Sequence, residues 1–221
     1  MTIAMQRWTK VFVCGRLGAC MLVGAGTMLA TARVEAQGQG KLAAAPPVTY
    51  DNRYEVYGGI NYQIDQVGQN LPKLTSLAGI EVLGTYWLTG HLGVGADFRG
   101  EAGTTAVFPN TDQYKPVVAT YTGMLGAEWR GPRGQRAAIN YHAFGGASYG
   151  DFNINARTDE FIGLYTNRTK PFAAVGASVD FNRSKNIAIR VSPDLILEHY
   201  GSEWREFFSV SGGVIYRFGK R

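Results

Sequence analysis

Apolar and polar positions alternate one by one along most of the chain. From residue 54, Tyr54, Val56, Gly58, Ile60, Tyr62 and Ile64 take one parity, and Glu55, Tyr57, Gly59, Asn61, Gln63 and Asp65 take the other. Period two over such a length is a strand with two unlike faces. The pattern recurs at 78–87, 92–102, 117–130, 137–149, 173–181 and 187–198, and it closes at 207–218. In that last stretch Phe208, Val210, Gly212, Val214, Tyr216 and Phe218 face one way; Ser209, Ser211, Gly213, Ile215 and Arg217 face the other. Eight strands follow, and no helical period competes beyond residue 36. Pro193 interrupts the seventh strand without shifting its parity. It cannot donate to a ladder, so a bulge or local break is expected there. The connections at 66–76, 104–116 and 150–170 are long; those at 89–91, 131–136 and 182–186 are short. The connection at 201–206 fits this alternation least well.

Eight hairpin-linked strands predict an all-β, eight-stranded antiparallel up-and-down β-barrel, an arrangement that leaves no free edge. Alternation alone does not say which face looks inward. A soluble lipocalin-like ligand-binding barrel would turn the apolar face in. Several features favour the apolar face looking out, as a transmembrane barrel requires. Lys41, Lys73, Lys115, Lys170, Lys185 and Lys220 all fall in expected loops or tails, whereas a water-facing strand surface commonly carries lysines. If the second and third strands join through 89–91, Leu88 faces Leu92 and Glu81 stands opposite Arg99 on the polar face. Glu55 and Arg217 are placed to pair likewise near the seam. The strands run to about 10 to 13 residues, near what a tilted membrane-spanning strand needs. Tyr54, Tyr62, Tyr86, Trp129, Tyr149, Phe181, Tyr216 and Phe218 sit towards strand ends on the apolar face, as in an aromatic girdle.

Composition changes the picture at the amino-terminal end. Residues 1–36 have the layout of a signal peptide: Arg7, Lys10 and Arg16, then an apolar run, then Val34-Glu35-Ala36. Cleavage is expected between Ala36 and Gln37, with 30–32 as a second possible cut. The apolar run is short of the roughly 20 residues of a spanning helix. Cys20 follows a lipobox-like Leu17-Gly18-Ala19, but Arg16 precedes it and the apolar run follows it, which argues against lipidation. Residues 37–52 read as a flexible periplasmic segment, 53–218 as the barrel and 219–221 as a tail. The formal charge of +5 loses Arg7, Lys10, Arg16, Arg33 and Glu35 with the leader, leaving +2. No basic cluster with interleaved aromatics appears, so nucleic acid is not an expected partner. Both cysteines, Cys14 and Cys20, lie in the leader, so the mature chain would hold neither a disulfide nor a thiolate metal site.

The spaced set Ser211, Gly213, Tyr216 and Phe218 resembles the carboxy-terminal signal by which bacterial outer-membrane barrels are recognised and inserted. With it, the region from about 53 to 218 resembles the small eight-stranded outer-membrane barrels of the OmpA/OmpX type. The resemblance implies the bacterial outer membrane as location, outer-membrane lipid and the barrel-assembly machinery as partners, and a polar, plugged interior. Glu81, Arg99, Glu128 and Arg190, together with Glu55 and Arg217, are the candidate interior ion pairs. Two-domain members add a peptidoglycan-gripping domain. This chain ends three residues after Phe218, so that activity is not expected of it.

Some barrels of this size modify lipid A with a His and a Ser near the outer rim. Glu198, His199 and Ser202 cluster there, but His199 faces lipid by parity and the spacing does not match His-x-Ser. His142 lies on the polar face without a second His beside it, and His91 is a turn residue. No metal spacing, phosphate loop or nucleophile motif is present, and no cofactor is expected. The expected function is a non-enzymatic outer-membrane barrel with a structural or adhesion-like role and no wide pore. The alternatives are a lipid-modifying enzyme, a soluble ligand-binding barrel and a narrow ion channel. The loop 150–170, with Phe152, Phe161, Ile162 and Tyr165, is the expected surface for an extracellular partner.

Overall fold

A computed structural model describes residues 47–68, 71, 74–105, 115–152, 163–199 and 203–220. The leader and its cleavage site lie outside the described residues. The alternating segments form β1 (Asn52–Asp65), β2 (Thr75–Trp87), β3 (Leu92–Thr104), β4 (Val117–Arg133), β5 (Ala137–Asp151), β6 (Arg168–Asn182), β7 (Ile187–Glu198) and β8 (Arg205–Lys220). Each strand pairs antiparallel with its chain neighbours, and β1 pairs with β8 to close the barrel. Leu88 and Thr89 both donate to the Leu92 carbonyl, and this tight turn fixes the β2–β3 register. Glu81 consequently stands opposite Arg99.

The apolar parity faces outward. Ile60 is 73% and Leu125 71% exposed, and Val82, Val94, Phe98 and Val175 are also open on the outer wall. Glu55, Glu81, Arg99, Glu128, Arg190 and Arg217 are buried inside. This is the reverse of a soluble ligand-binding barrel. The aromatic residues at strand ends are all exposed. Tyr54 packs between Tyr86 and Phe218, with ring centroids 5.3 and 5.4 Å away.

Several details differ from the sequence reading. β1, β4, β5, β6 and β8 are longer than expected, at 14 to 17 residues, while β2, β3 and β7 keep to 12 or 13. β4 continues through the expected turn to Arg133, with its register to β5 shifting between Arg130 and Arg133. Pro132 lies in that interval, and a residue without an N–H is tolerated where the ladder is already irregular. Lys170 belongs to β6, opposite Ser148, and Lys220 ends β8. At Pro193 the ladder to β8 is unbroken. The ladder to β6 skips from Gly176↔Asp194 to Val179↔Val191 without a shift, so the proline makes a gap and not a bulge.

At the seam, Gly59 and Gly213 stand opposite each other. A Cβ on Gly213 would strike the Gly58 carbonyl oxygen and the Gly59 Cα, and one on Gly59 would strike the Tyr57 ring. Glycine here lets the two strands and the inward Tyr57 approach closely. Gly58, which faces outward, would meet nothing within 4 Å. Gly213→Val should therefore lower the folded, heat-modifiable fraction on a gel and cost about 1–3 kcal/mol through overpacking. Gly58→Ala should leave both unchanged.

Candidate functional site

Inward parity brings charged side chains from most of the strands into a lumen only wide enough for side chains. In the half nearer the chain termini, Glu55, Glu128 and Asp180 meet Arg130, Arg190 and Arg217. Arg130 Nη2 lies 2.6 Å from Glu55 Oε1, and Arg217 Nε lies 3.1 Å from the same oxygen. Asp180 accepts from Arg190 Nε at 2.7 Å and Arg217 Nη2 at 2.8 Å. Glu128 accepts from Thr85 at 2.6 Å and lies 3.9 Å from Arg190. Three carboxylates face three guanidiniums, so this network is balanced. The Arg130 guanidinium also stacks 3.7 Å over the buried Trp87 ring, a cation–π contact strengthened by exclusion of water.

Further towards the long loops, Arg99 is surrounded by acids. Its Nη2 lies 2.6 Å from Asp194 and 3.5 Å from Glu81, and its Nε donates to Asp97 at 2.9 Å. His142 Nε2 lies 2.8 Å from the other Asp194 oxygen, and its ring stacks on Phe144. Buried apolar side chains, among them Leu83, Met124, Phe144, Phe172 and Ile196, fill the spaces between charges.

Among the described residues, side chains are packed at both ends of the barrel. At the loop end, Val67, Leu71, Val118, Phe152, Leu164 and Tyr165 form a buried apolar cluster. Phe152 and Tyr165 are therefore not the exposed aromatics expected of the loop 150–170; Phe161 and Ile162 lie outside the described residues. The loop roots turn their rings inward because the mouth offers apolar surface to bury. At the opposite end, residues 47–51, expected in a flexible lead-in, pack across the mouth. Val48 N–H donates to the Gln135 side chain at 2.8 Å, and Gln135 Nε2 returns a bond to the Val48 carbonyl at 3.2 Å. Tyr50, in the left-handed region at φ 54°, donates through its hydroxyl to the Gly134 carbonyl at 2.7 Å and accepts from Asn182 at 2.6 Å. Its carbonyl accepts from Arg130 at 3.1 Å, and Arg217, Arg130 and Arg133 stand 5.1–5.8 Å from its ring centre. Such a conformation costs about 1–3 kcal/mol, which these bonds offset.

The expected pairs Glu81–Arg99 and Glu55–Arg217 thus lie in the lumen, and the further candidates Glu128 and Arg190 meet there at 3.9 Å. Sequence reasoning passed over Asp97, Arg130, Asp180 and Asp194 as partners. Their shared inward parity was the available signal, but Asp194 reaches Arg99 from across the barrel and not from a neighbouring strand. Elsewhere, His91 Nδ1 lies 2.9 Å from the Arg130 carbonyl at the turn. His199 is half-buried beside Trp204, and Ser202 lies outside the described residues. Among the described residues no group of His, Cys, Asp or Glu is arranged to hold a metal ion.

No protein-family model and no curated protein matches the chain. Solved structures do. Ail, the attachment invasion locus protein of Yersinia pestis, aligns with a TM-score of 0.50 at 17% identity, over 76% of this chain and 99% of that one. Neisserial surface protein A aligns with a TM-score of 0.53 at 11% identity, over 75% and 97%. The chain has the closed eight-stranded fold of the small outer-membrane barrels.

Removing one member of a buried ionic group strands its partners. Arg99→Met should lower the unfolding free energy by about 3–5 kcal/mol, read from urea titrations in detergent micelles. Tyr50→Ala should free the segment ahead of β1, seen as faster proteolysis there with the barrel core still protected.

Proposed function

We propose that the chain is an integral protein of the bacterial outer membrane, with its termini towards the periplasm and a structural or surface-interaction role. It acts without a wide pore and without enzymatic activity. In this reading residues 1–36 direct export and are removed between Ala36 and Gln37. The barrel-assembly machinery then recognises Ser211, Gly213, Tyr216 and Phe218. The observation that carries the proposal is the inverted distribution of side chains. Apolar side chains from all eight strands face outward, whereas a soluble monomer rarely leaves large contiguous apolar surface exposed. The arginines and carboxylates fill the inside. In hydrocarbon every backbone N–H and C=O must be satisfied internally, and a closed barrel does this.

The terminal set divides between the two faces. Ser211 is buried in the lumen and Gly213 lets the β1 backbone at Gly58 and Gly59 come close, while Tyr216 and Phe218 stack on the outer wall with centroids 5.8 Å apart. Outward rings are the ones an assembly factor could grip while the strand is still unpaired. The ionic networks in the lumen and the side chains packed at both ends support a barrel without a wide pore. The segment between the buried roots Phe152 and Tyr165 is the proposed contact surface for an extracellular partner. Ail is named for attachment and invasion, but a shared fold at 17% identity does not carry that activity across.

The test is membrane fractionation with a heat-modifiability gel and planar-bilayer recording on the refolded barrel. The expected result is outer-membrane recovery, a heat-dependent mobility shift and no steady current. Recovery in the aqueous fraction, or a stable open level, would overturn the reading. Replacing 153–162 by Gly-Ser repeats should preserve the mobility shift and reduce attachment of expressing cells to surfaces.

A further inference from the structure

The outer wall carries a groove of about 610 Å³ in the half of the belt nearer the termini. Its floor is Gly84 and Ala96, and Tyr54, Tyr86, Leu125 and Phe218 stand around it. The hollow arises because small outward residues fall together: Gly84 is paired with Ala96, flanked by Val56 on one side and Leu125 on the other. Phe218 is also a wall of a second hollow of about 240 Å³ at the rim, lined by Lys185, Lys220, Asn186 and Asp51. An apolar groove and a polar hollow therefore share one aromatic wall. Neither lysine is in an ion pair among the described residues. Asp51 accepts from Thr49 at 2.5 Å. That bond, with help from the two lysines, holds its carboxyl below the ordinary range, so it is ionised. Two ammoniums against one carboxylate leave an excess of positive charge.

We propose that this joined site seats one glycerophospholipid, with an acyl chain in the groove and its phosphate against Lys185 and Lys220. The inference rests on the membrane reading above. A phospholipid joins a hydrocarbon chain to an anion in one molecule, which is the sequence of surfaces met on crossing Phe218. A second copy of this chain could cover the groove, but its apolar wall would leave the cationic hollow unanswered. A basic residue near a membrane surface helps to hold anionic lipid, and the groove supplies apolar burial in addition.

The test uses the full chain extracted in mild detergent, supplied with phosphatidylglycerol or with diacylglycerol of the same acyl chains, and weighed by native mass spectrometry. One phosphatidylglycerol per barrel should survive, and diacylglycerol should be lost. Gly84→Leu with Ala96→Leu should abolish retention; a Cβ at Gly84 meets nothing within 4 Å, so the variant has room to fold. Lys185→Gln with Lys220→Gln should weaken retention on the order of tenfold. Equal retention of diacylglycerol, undiminished retention by either variant, or a dimer mass in place of bound lipid would overturn the site. The heat-dependent mobility shift is recorded on the same samples. If the shift and membrane recovery fail, the membrane reading falls and the lipid site with it; if they hold and no lipid is retained, the lipid site alone falls.

Discussion

An arginine removed from water is tolerable only when carboxylates replace its hydration shell, and the rest of this structure follows from that requirement. Arg99, with Asp97, Asp194 and Glu81 around it, occupies the place water would otherwise fill. Desolvation of such a group costs several kcal/mol, and only close, hydrogen-bonded partners repay it. The strand period then couples inside to outside. Each inward charge is flanked in sequence by outward residues, so a lumen of Glu, Asp and Arg forces a wall of Ile, Val, Leu and Tyr. Neither face could be exchanged alone, because a one-residue slip would expose every charge to the belt side.

The same coupling explains what could be read from the amino-acid sequence. Period two located all eight strands, and the turn at 89–91 set Glu81 against Arg99 because a tight turn fixes register. Reading stopped where contacts cross the lumen. The bond from Arg99 to Asp194 joins β3 to β7, and that from Arg130 to Glu55 joins β4 to β1. Strand order supplies no such pairing, since it depends on tilt and on how the barrel closes. The ends were harder still. Phe152 and Tyr165 looked like exposed loop aromatics because length and polarity of a loop say nothing about where its roots turn. Tyr50 carried no pattern at all, and it packs across the mouth through side-chain and carbonyl bonds to residues eighty or more positions away.

The packing at both ends bears on function. The apolar cluster around Phe152 and the segment through Tyr50 cap a lumen already filled by side chains. Eight strands enclose little more than that, so in the proposed reading the interior holds the cylinder rigid while the outer wall meets lipid. In that reading function is to be sought on the wall and in the loops. The groove beside Phe218 lies on that wall.

The two ionic networks are not equivalent, and their difference separates the ends of the molecule. The network nearer the termini balances Glu55, Glu128 and Asp180 with Arg130, Arg190 and Arg217, and Tyr50 is bonded directly to it through Arg130. It makes a neutral, cross-linked base. Around Arg99 the acids outnumber the guanidinium, and His142 contributes a ring nitrogen to Asp194. Charge there is less completely compensated, which makes Arg99 the residue on which the half under the loops most depends. The cap at that end is built on an apolar cluster, with the Arg168 guanidinium 5.8 Å from the Tyr165 ring centre. Loss of Arg99 should therefore loosen the half beneath the loops first, while the base holds through its three arginines.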